Sequence, residues 1–426
     1  MKLWNIFLAL VGLLLIILTG SLNAQTGWTI LDPGTSVNLN AVQLLDSHTI
    51  FVAGDAGIVL WSSDSGLTWQ DISPDSPLVN LQDITFFDPF TGLVVGEGGN
   101  ILATSDSGVN WSVISSGVSD DLLTVAFWDS IGICGGISQT ILYSADRGNS
   151  WNIAQNGFFG GGFWGSCLLS PNIGYVVGEN SIFQPLLGKS IDEGINWNFT
   201  PFYLNNNEGR AFSLQFTDEL TGYAACGVWD GRGAIAKTTD GGVNWISTFF
   251  VSPLYEIHFP ISNASLVGFA VGEAGQILKT GNAGGSWQTL NSGTAQALND
   301  VAFFDLFTGY IVGDNGTILK TESGGEPPVL LPDPAAIPAE GLQLLGNYPN
   351  PFNASTTIEF YLPAASHVQL KIFNALGKEV AVLLSENLPA GWQQVNWNVI
   401  DFPSGLYFSL VEYQDVSRLA KLLLLK

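Results

Sequence analysis

Residues 104–111 read TSDSGVNW: a small hydroxyl residue, then Asp106, Gly108 and Trp111 at fixed offsets. The segment recurs as SSDSGLTW at 62–69, SADRGNSW at 144–151, SIDEGINW at 190–197, TTDGGVNW at 238–245 and TGNAGGSW at 280–287. Asn282 replaces the aspartate in the last of these, and a seventh copy, TESGG at 321–325, stops short of its tryptophan. The leading residues Ser62, Thr104, Ser144, Ser190, Thr238, Thr280 and Thr321 stand 42, 40, 46, 48, 42 and 41 positions apart. Short strands and glycine turns repeating at that interval are the signature of propeller blades.

A second phrase precedes the boxes: VAGDAGIVLW from Val52, VVGEGGNILAT from Val94, AVGEAGQILKT from Ala270 and IVGDNGTILKT from Ile311. Before it, several units carry ITFFDPFTG or VAFFDLFTG. Each unit therefore reads strand, turn, strand, glycine turn, strand, box, strand. Seven units predict a seven-bladed β-propeller over residues 25–325. GWTILDPGT at 27–35 looks like the strand that follows a box but has no box before it. It predicts ring closure, with the N-terminal segment supplying the outer strand that the seventh unit lacks.

Within the box, the side chains of Asp64, Asp106, Asp146, Asp192, Asp240 and Asn282 are placed to accept backbone N–H groups of the turn, and the glycine takes the left-handed conformation. Trp69, Trp111, Trp151, Trp197, Trp245 and Trp287 are placed to wedge between blades. Burying one indole contributes about 4–6 kcal/mol as an upper bound. A calcium loop would need further oxygen ligands and a distal glutamate that DSGVNW lacks, so no metal is expected. Near-identical copies also argue against catalysis, since one ring needs only one active site. The boxes are scaffold.

This pattern resembles the Asp-box, or bacterial neuraminidase repeat, and the whole unit is similar to propellers of the photosystem II assembly and stability factor family. The first resemblance raises a sialidase-like hydrolase. Its site implies three arginines on the substrate carboxylate, and this chain has Arg147, Arg210, Arg232 and Arg418, the first in a box and the last in the tail. That clamp cannot be assembled. Asp230 and Glu208 make only a weak candidate hydrolytic pair. The second resemblance implies an arginine-rich surface that holds an unassembled membrane subunit, which a chain this poor in arginine does not offer. A binding or scaffold protein without cofactor is expected, with an assembly factor as the alternative and a glycosidase behind it.

Thirteen Lys and Arg against 37 Asp and Glu give the 426-residue chain a formal charge of −24. Such a surface gains nothing from counterion release, so nucleic-acid and anionic-membrane partners are excluded. Cys134, Cys167 and Cys226 are too dispersed for a disulfide framework or a zinc site and read as small buried apolar residues.

Loops joining successive blades, and those between second and third strands, share the face opposite the boxes. Most are minimal. Four are longer: NGFFGGGFWGS at 156–166, GENSIFQPLLGK at 178–189, PFYLNNNEGRAF at 201–212 and GVWDGRG at 227–233. They gather Phe158, Phe159, Phe163, Trp164, Phe183, Arg210, Trp229, Asp230 and Arg232 on the rim of blades 4 and 5. Aromatics beside arginine suit a glycan or protein ligand.

Residues 1–24 have one lysine, an apolar run through Leu18 and small residues before Ala24, the pattern of a cleaved secretory signal, and the run is too short for a membrane span. No integral membrane segment is expected in the mature chain. Residues 326–341 are proline-rich and read as a stiff linker. From 342 to 426, alternation in TTIEFYL, HVQLKIF, QVNWNV and GLYFSLVEY predicts at least four strands and a small immunoglobulin-like β-sandwich, making the whole chain all-β. NYPNPFNASTTIEF, VQLKIFNALGKEV, LPAGWQQVNWN, PSGLYFSLV and the closing RLAKLLLLK resemble the C-terminal sorting domain of type IX secretion cargo, with Ala354 where proline is usual. That resemblance implies the type IX machinery as a partner, and a protein released or attached at the outer cell surface.

Overall fold

A computed structural model describes residues 26–154, 160–205, 208–260, 267–326, 342–374, 378–399, 402–414 and 416–425. The expected signal peptide and all but the first residue of the expected linker lie outside these. The chain divides into two compact units, Met1–Pro328 and Val329–Lys426.

The first unit holds seven four-stranded antiparallel sheets. Blade 1 runs Leu39–Leu44, Ile50–Gly54, Val59–Ser62 and Gln70–Asp71. Blades 2 to 6 repeat it over 81–114, 122–153, 162–201, 209–250 and 254–290. The second strands, such as IFVAG, GLVVG and GYIVG, are buried at every position. Neighbouring blades cover both of their faces, so they read as unbroken apolar runs rather than alternating ones. Blade 7 combines Leu298–Phe303, Gly309–Gly313 and Thr317–Gly325 with Gly27–Leu31 from the other end of the chain. Gly27–Leu31 pairs antiparallel with Thr317–Gly325 and closes the ring as the sequence predicts.

Each box is a hydrogen-bonded turn. In blade 2 the Thr104 hydroxyl donates to Asp106 Oδ1 at 3.0 Å and accepts the Gly108 N–H at 2.9 Å. Asp106 in turn accepts the Asn110 N–H at 2.8 Å and its side-chain amide at 2.7 Å. These bonds hold the Asp106 carboxyl below its ordinary pKa, and the Thr68 hydroxyl and N–H pull Asp64 down to about 2. Asn282 keeps the arrangement, accepting the Ser286 N–H at 2.9 Å and donating to its hydroxyl at 3.0 Å. Glycine is required after it: Gly242 has φ +92°, and a Cβ there would lie 2.3 Å from Leu187 of the preceding blade.

In blades 2, 3, 5 and 6 the box tryptophan packs edge-on against a phenylalanine at or beside the end of the inner strand of its own blade. Trp111 meets Phe86 at 6.3 Å, Trp151 meets Phe127 at 5.8 Å, Trp245 meets Phe216 at 6.3 Å and Trp287 meets Phe259 at 6.2 Å. Its other side joins the core of the preceding blade, as Trp111 does with Phe51 and Val59. Trp28 makes the same contact with Phe303 at 6.0 Å and is 4% exposed. The N-terminal strand therefore restores the tryptophan missing from the seventh box.

The second unit is a β-sandwich. One sheet holds Gln343–Tyr348, Ser355–Leu362 and Gly391–Asn398, and the other holds Glu379–Leu388, Ser366–Asn374, Gly405–Tyr413 and Val416–Leu424. Phe352, Phe360, Leu370, Trp397 and Leu424 are among the residues of its core. The NPF stretch clasps the last strand: Asn350 donates to Lys421 O at 3.0 Å and accepts the Leu423 N–H at 2.8 Å, while Phe352 N–H donates to Leu423 O at 3.0 Å.

Candidate functional site

All seven inner strands carry a register shift near their start, as between Leu81 and Asp83 or Leu254 and Glu256. Such a bulge re-aims the side chains beside it. The residues so displaced, Asn40, Gln82, Leu123, Trp164, Phe212, Tyr255 and Asn299, all line the mouth of a central cavity of about 630 Å³. The mouth is asymmetric. Blades 7, 1 and 2 present amides, and blades 4, 5 and 6 present a continuous aromatic arc in which Phe212 and Tyr255 meet edge-on at 5.3 Å.

Arg210, the second residue of the inner strand of blade 5, lies over this arc. Its guanidinium stacks 3.9 Å above Trp164, with Phe212 at 5.6 Å and Trp229 at 5.7 Å. Glu179, at the end of the second strand of blade 4, accepts its NH2 group at 2.8 Å. Phe183 extends the cluster outward, meeting Trp229 edge-on at 5.4 Å. Phe183 and Trp229 are half exposed, at 50% and 55%. Trp164, Phe183, Arg210 and Trp229 of the expected rim are thus brought together.

Phe163, Asp230 and Arg232 are not among them. Phe163 is fully buried, stacked on Phe199 at 5.6 Å, which corrects its assignment to the exposed rim. The reason is strand parity: the inner strand of blade 4 begins at Gly162, so Phe163 and Trp164 point to opposite sides. Asp230 and Arg232 pair with each other at 2.6 Å, and the Arg232 guanidinium leans over Phe249 of the outer strand at 4.6 Å, away from the arc. Phe158 and Phe159 lie outside the described residues.

Below the mouth, the next inner-strand position carries Asp83, Ser213, Glu256 and Asp300. Asp83 accepts the N–H groups of Ile84 and of Val125 in the next blade, each at 2.7 Å. Asp300 does the same for Val301 at 2.6 Å and, across the ring closure, for Val42 at 2.7 Å. Ser213 donates to Glu256. Burial in the channel wall pushes Asp83 up to about 7 and Asp300 up to about 6, and drives Glu256 well above the usual carboxylate range, with mutual repulsion adding to the effect on Asp83 and Glu256. His258 also lines the channel. Burial lowers it to about 4, so it is a neutral imidazole that bonds the Phe303 backbone through one nitrogen and leaves Nε2 without a partner.

Phe212, Tyr255, Asp83, Glu256, Asp300 and Glu179 were not singled out from the sequence. The usable signal was the residue pair following the first apolar residue of each inner strand, which varies between units while the residue before it is leucine in five of the seven. Cys134 and Cys226 are fully buried as expected, and Cys167 is half-buried.

Residues 347–424 match the family described as secretion system C-terminal sorting domain. No curated protein matches the chain. Among solved structures, YCF48 bound to a D1 peptide has a TM-score of 0.55 at 18% identity, covering 69% of this chain and 96% of that one. YCF48 from Cyanidioschyzon merolae gives 0.55 at 16%, covering 69% and 98%. The WD40 β-propeller domain of Doa1 gives 0.55 at 15%, covering 70% and 95%. The sorting domain marks the chain for export by type IX secretion to the cell surface or beyond, and the structural likeness identifies the first unit as a propeller. No helix among the described residues is long and apolar enough to cross a membrane.

Proposed function

We propose that this is an exported binding protein, not an enzyme, whose propeller recognises a glycan or protein partner through the channel mouth on blades 4 to 6. The observation that carries the reading is the aromatic arc of Trp164, Phe212 and Tyr255 opening onto a cavity of about 630 Å³, a size typical of ligand sites. Half-exposed Phe183 and Trp229 extend that surface at little entropic cost, since aromatic side chains have few rotors to immobilise. The boxes are read as Asp-box scaffold, residues 1–24 as a removable signal, and the tail as the address read by the type IX machinery. YCF48 has been solved with a bound D1 peptide, which makes a peptide ligand a natural candidate for a similar ring.

Catalysis is disfavoured by how the carboxylates are used. Asp230 is tied to Arg232 and held below its ordinary pKa by that bond, so it is no reservoir of protons near neutrality. Asp83 and Asp300 have the raised pKa of general acids but are engaged by two backbone N–H groups each. The test is a glycan and peptide array probed with the full chain, beside sialidase and β-glucanase turnover assays. Binding that disappears in a Trp164→Ala, Trp229→Ala variant, without turnover, supports the reading. Turnover, or binding that survives both substitutions, overturns it.

A further inference from the structure

Cations are unevenly placed along the propeller axis, gathered at the box end among its aspartates and sparse at the mouth. Lys189, Lys237, Lys279 and Lys320 each stand immediately before the hydroxyl residue of a box, and Arg147 lies inside one. These lysines lean over Tyr175, Tyr223, Phe269 and Tyr310 at 5.3 to 6.0 Å. Arg210 and Arg232 are the remaining basic residues of the ring sequence, and both are paired, with Glu179 and Asp230. The other carboxylates at the mouth are held by neutral donors. Asp55 takes the amides of Asn38 and Asn40 at 3.1 and 3.0 Å, Asp314 that of Asn299 at 3.1 Å, and Glu273 the Tyr255 hydroxyl. Hydrogen bonds of this kind position a carboxylate without cancelling its charge.

Resting on the reading that the mouth is the binding site, we propose that its ligand is a basic polypeptide segment. One lysine or arginine side chain enters the channel toward Asp83, Glu256 and Asp300, and the neighbouring residues lie on the Trp164, Phe212 and Tyr255 arc.

Three independent features favour a cation. A cleft lined by charge of one sign, with low-dielectric walls, concentrates the opposite charge. Beside the unpartnered donor Nε of Arg210, two acceptors near the site need donors: Nε2 of His258 in the channel, and Oε2 of Glu179, a residue 5% exposed whose other oxygen holds Arg210. An ammonium brings three donors and a guanidinium five. The molecule also already seats a cation here, since Arg210 sits among three aromatic rings against Glu179, the arrangement by which such cages recognise positively charged groups. A sulfated or sialylated glycan or an acidic peptide would meet the carboxylates with both nearby arginines engaged. A neutral glycan would offer the channel carboxyls no positive partner as they ionise.

The test uses the full chain and capped hexapeptides that differ only at two central positions, occupied by lysine, arginine, norleucine or glutamate, with binding measured by calorimetry at pH 8 in low salt. Lysine and arginine peptides should bind at least about tenfold tighter than norleucine, and glutamate peptides should not bind. Glu256→Gln should weaken the lysine peptide at least about fivefold, and Trp164→Ala should weaken every peptide that binds. Norleucine or glutamate peptides binding as tightly as lysine, in a Trp164-dependent way, would overturn the charge assignment and leave the mouth as the site. Lysine-peptide binding untouched by both substitutions would overturn the proposal, as would no binding by any basic peptide. Should Glu256→Gln fail to fold, the peptide series on the unaltered chain decides the matter.

Discussion

At the box end of the propeller every blade repeats the bond from a box glycine N–H to the leading hydroxyl, whereas at the mouth no two successive blades from 3 to 6 carry the same side chain. Both ends belong to the same sheets. Ser or Thr, Asp or Asn, Gly and Trp recur at the box end because each closes a turn or fills a seam between blades, and every seam is alike. The mouth positions face a shared cavity, so no packing rule obliges them to agree, and they run Leu123, Trp164, Phe212, Tyr255. Uniformity marks what builds the ring, and variation marks what the ring displays.

The largest break in this contrast comes from removing a seam residue. Trp151→Ala should cost about 3–5 kcal/mol, the range for deleting a large buried aromatic, and Trp28→Ala should cost a similar amount because Trp28 fills the seventh seam. Trp164→Ala, at the channel wall, should cost much less stability while removing ligand binding. Denaturant unfolding of the three variants, followed by tryptophan fluorescence, gives the ranking; equal losses for Trp151 and Trp164 would dissolve the distinction.

The two ends should also respond to opposite ends of the pH scale. Box aspartates such as Asp64, held at about 2, contribute stability above the ordinary carboxylate pKa of 3.8 and lose it as pH falls through the folded value. Asp83 at about 7 and Asp300 at about 6 work the other way: stability is fully present below 3.8 and is lost as pH rises through 6 to 7. The propeller's thermal midpoint should therefore peak between the two windows and fall by roughly 2–6 °C toward pH 8. Asp83→Asn should flatten the alkaline fall without touching the acidic one, as a melt series from pH 3 to 8 would show.

The smallest effect sharpens the comparison. Asp192→Asn should be nearly silent in a thermal melt, because Asn282 already performs the same turn in blade 6, whereas Asp192→Ala removes the acceptor for the Asn196 N–H and should lower the midpoint measurably.

The ring was legible because the box glycine and tryptophan are forced by local geometry, and local geometry repeats. Gly27–Leu31 could be placed in blade 7 for the same reason. The mouth was only half legible. NGFFGGGFWGS looks like a loop by composition, yet the strand starts inside it, and one step of parity separates Trp164 in the channel from Phe163 in the core. Phe212 and Tyr255 stand out only when the units are aligned, since what makes them a site is their adjacency around the ring. In the second unit alternation revealed the strands with one solvated face, but Val416–Leu424 ends in an apolar run and Glu379–Leu388 has an irregular burial pattern, so neither showed the period of two.

The central claim is that the mouth binds and the boxes only build. Its most direct test is one array of glycans and basic, neutral and acidic peptides, probed at equal folded concentration with the unaltered chain, with Trp164→Ala plus Trp229→Ala, and with Asp106→Ala. The account predicts the same ligands for the unaltered chain and the box variant, and at least about a tenfold loss, near 1.4 kcal/mol, for the mouth variant. A mouth variant that still binds, or a folded box variant that does not, would contradict it.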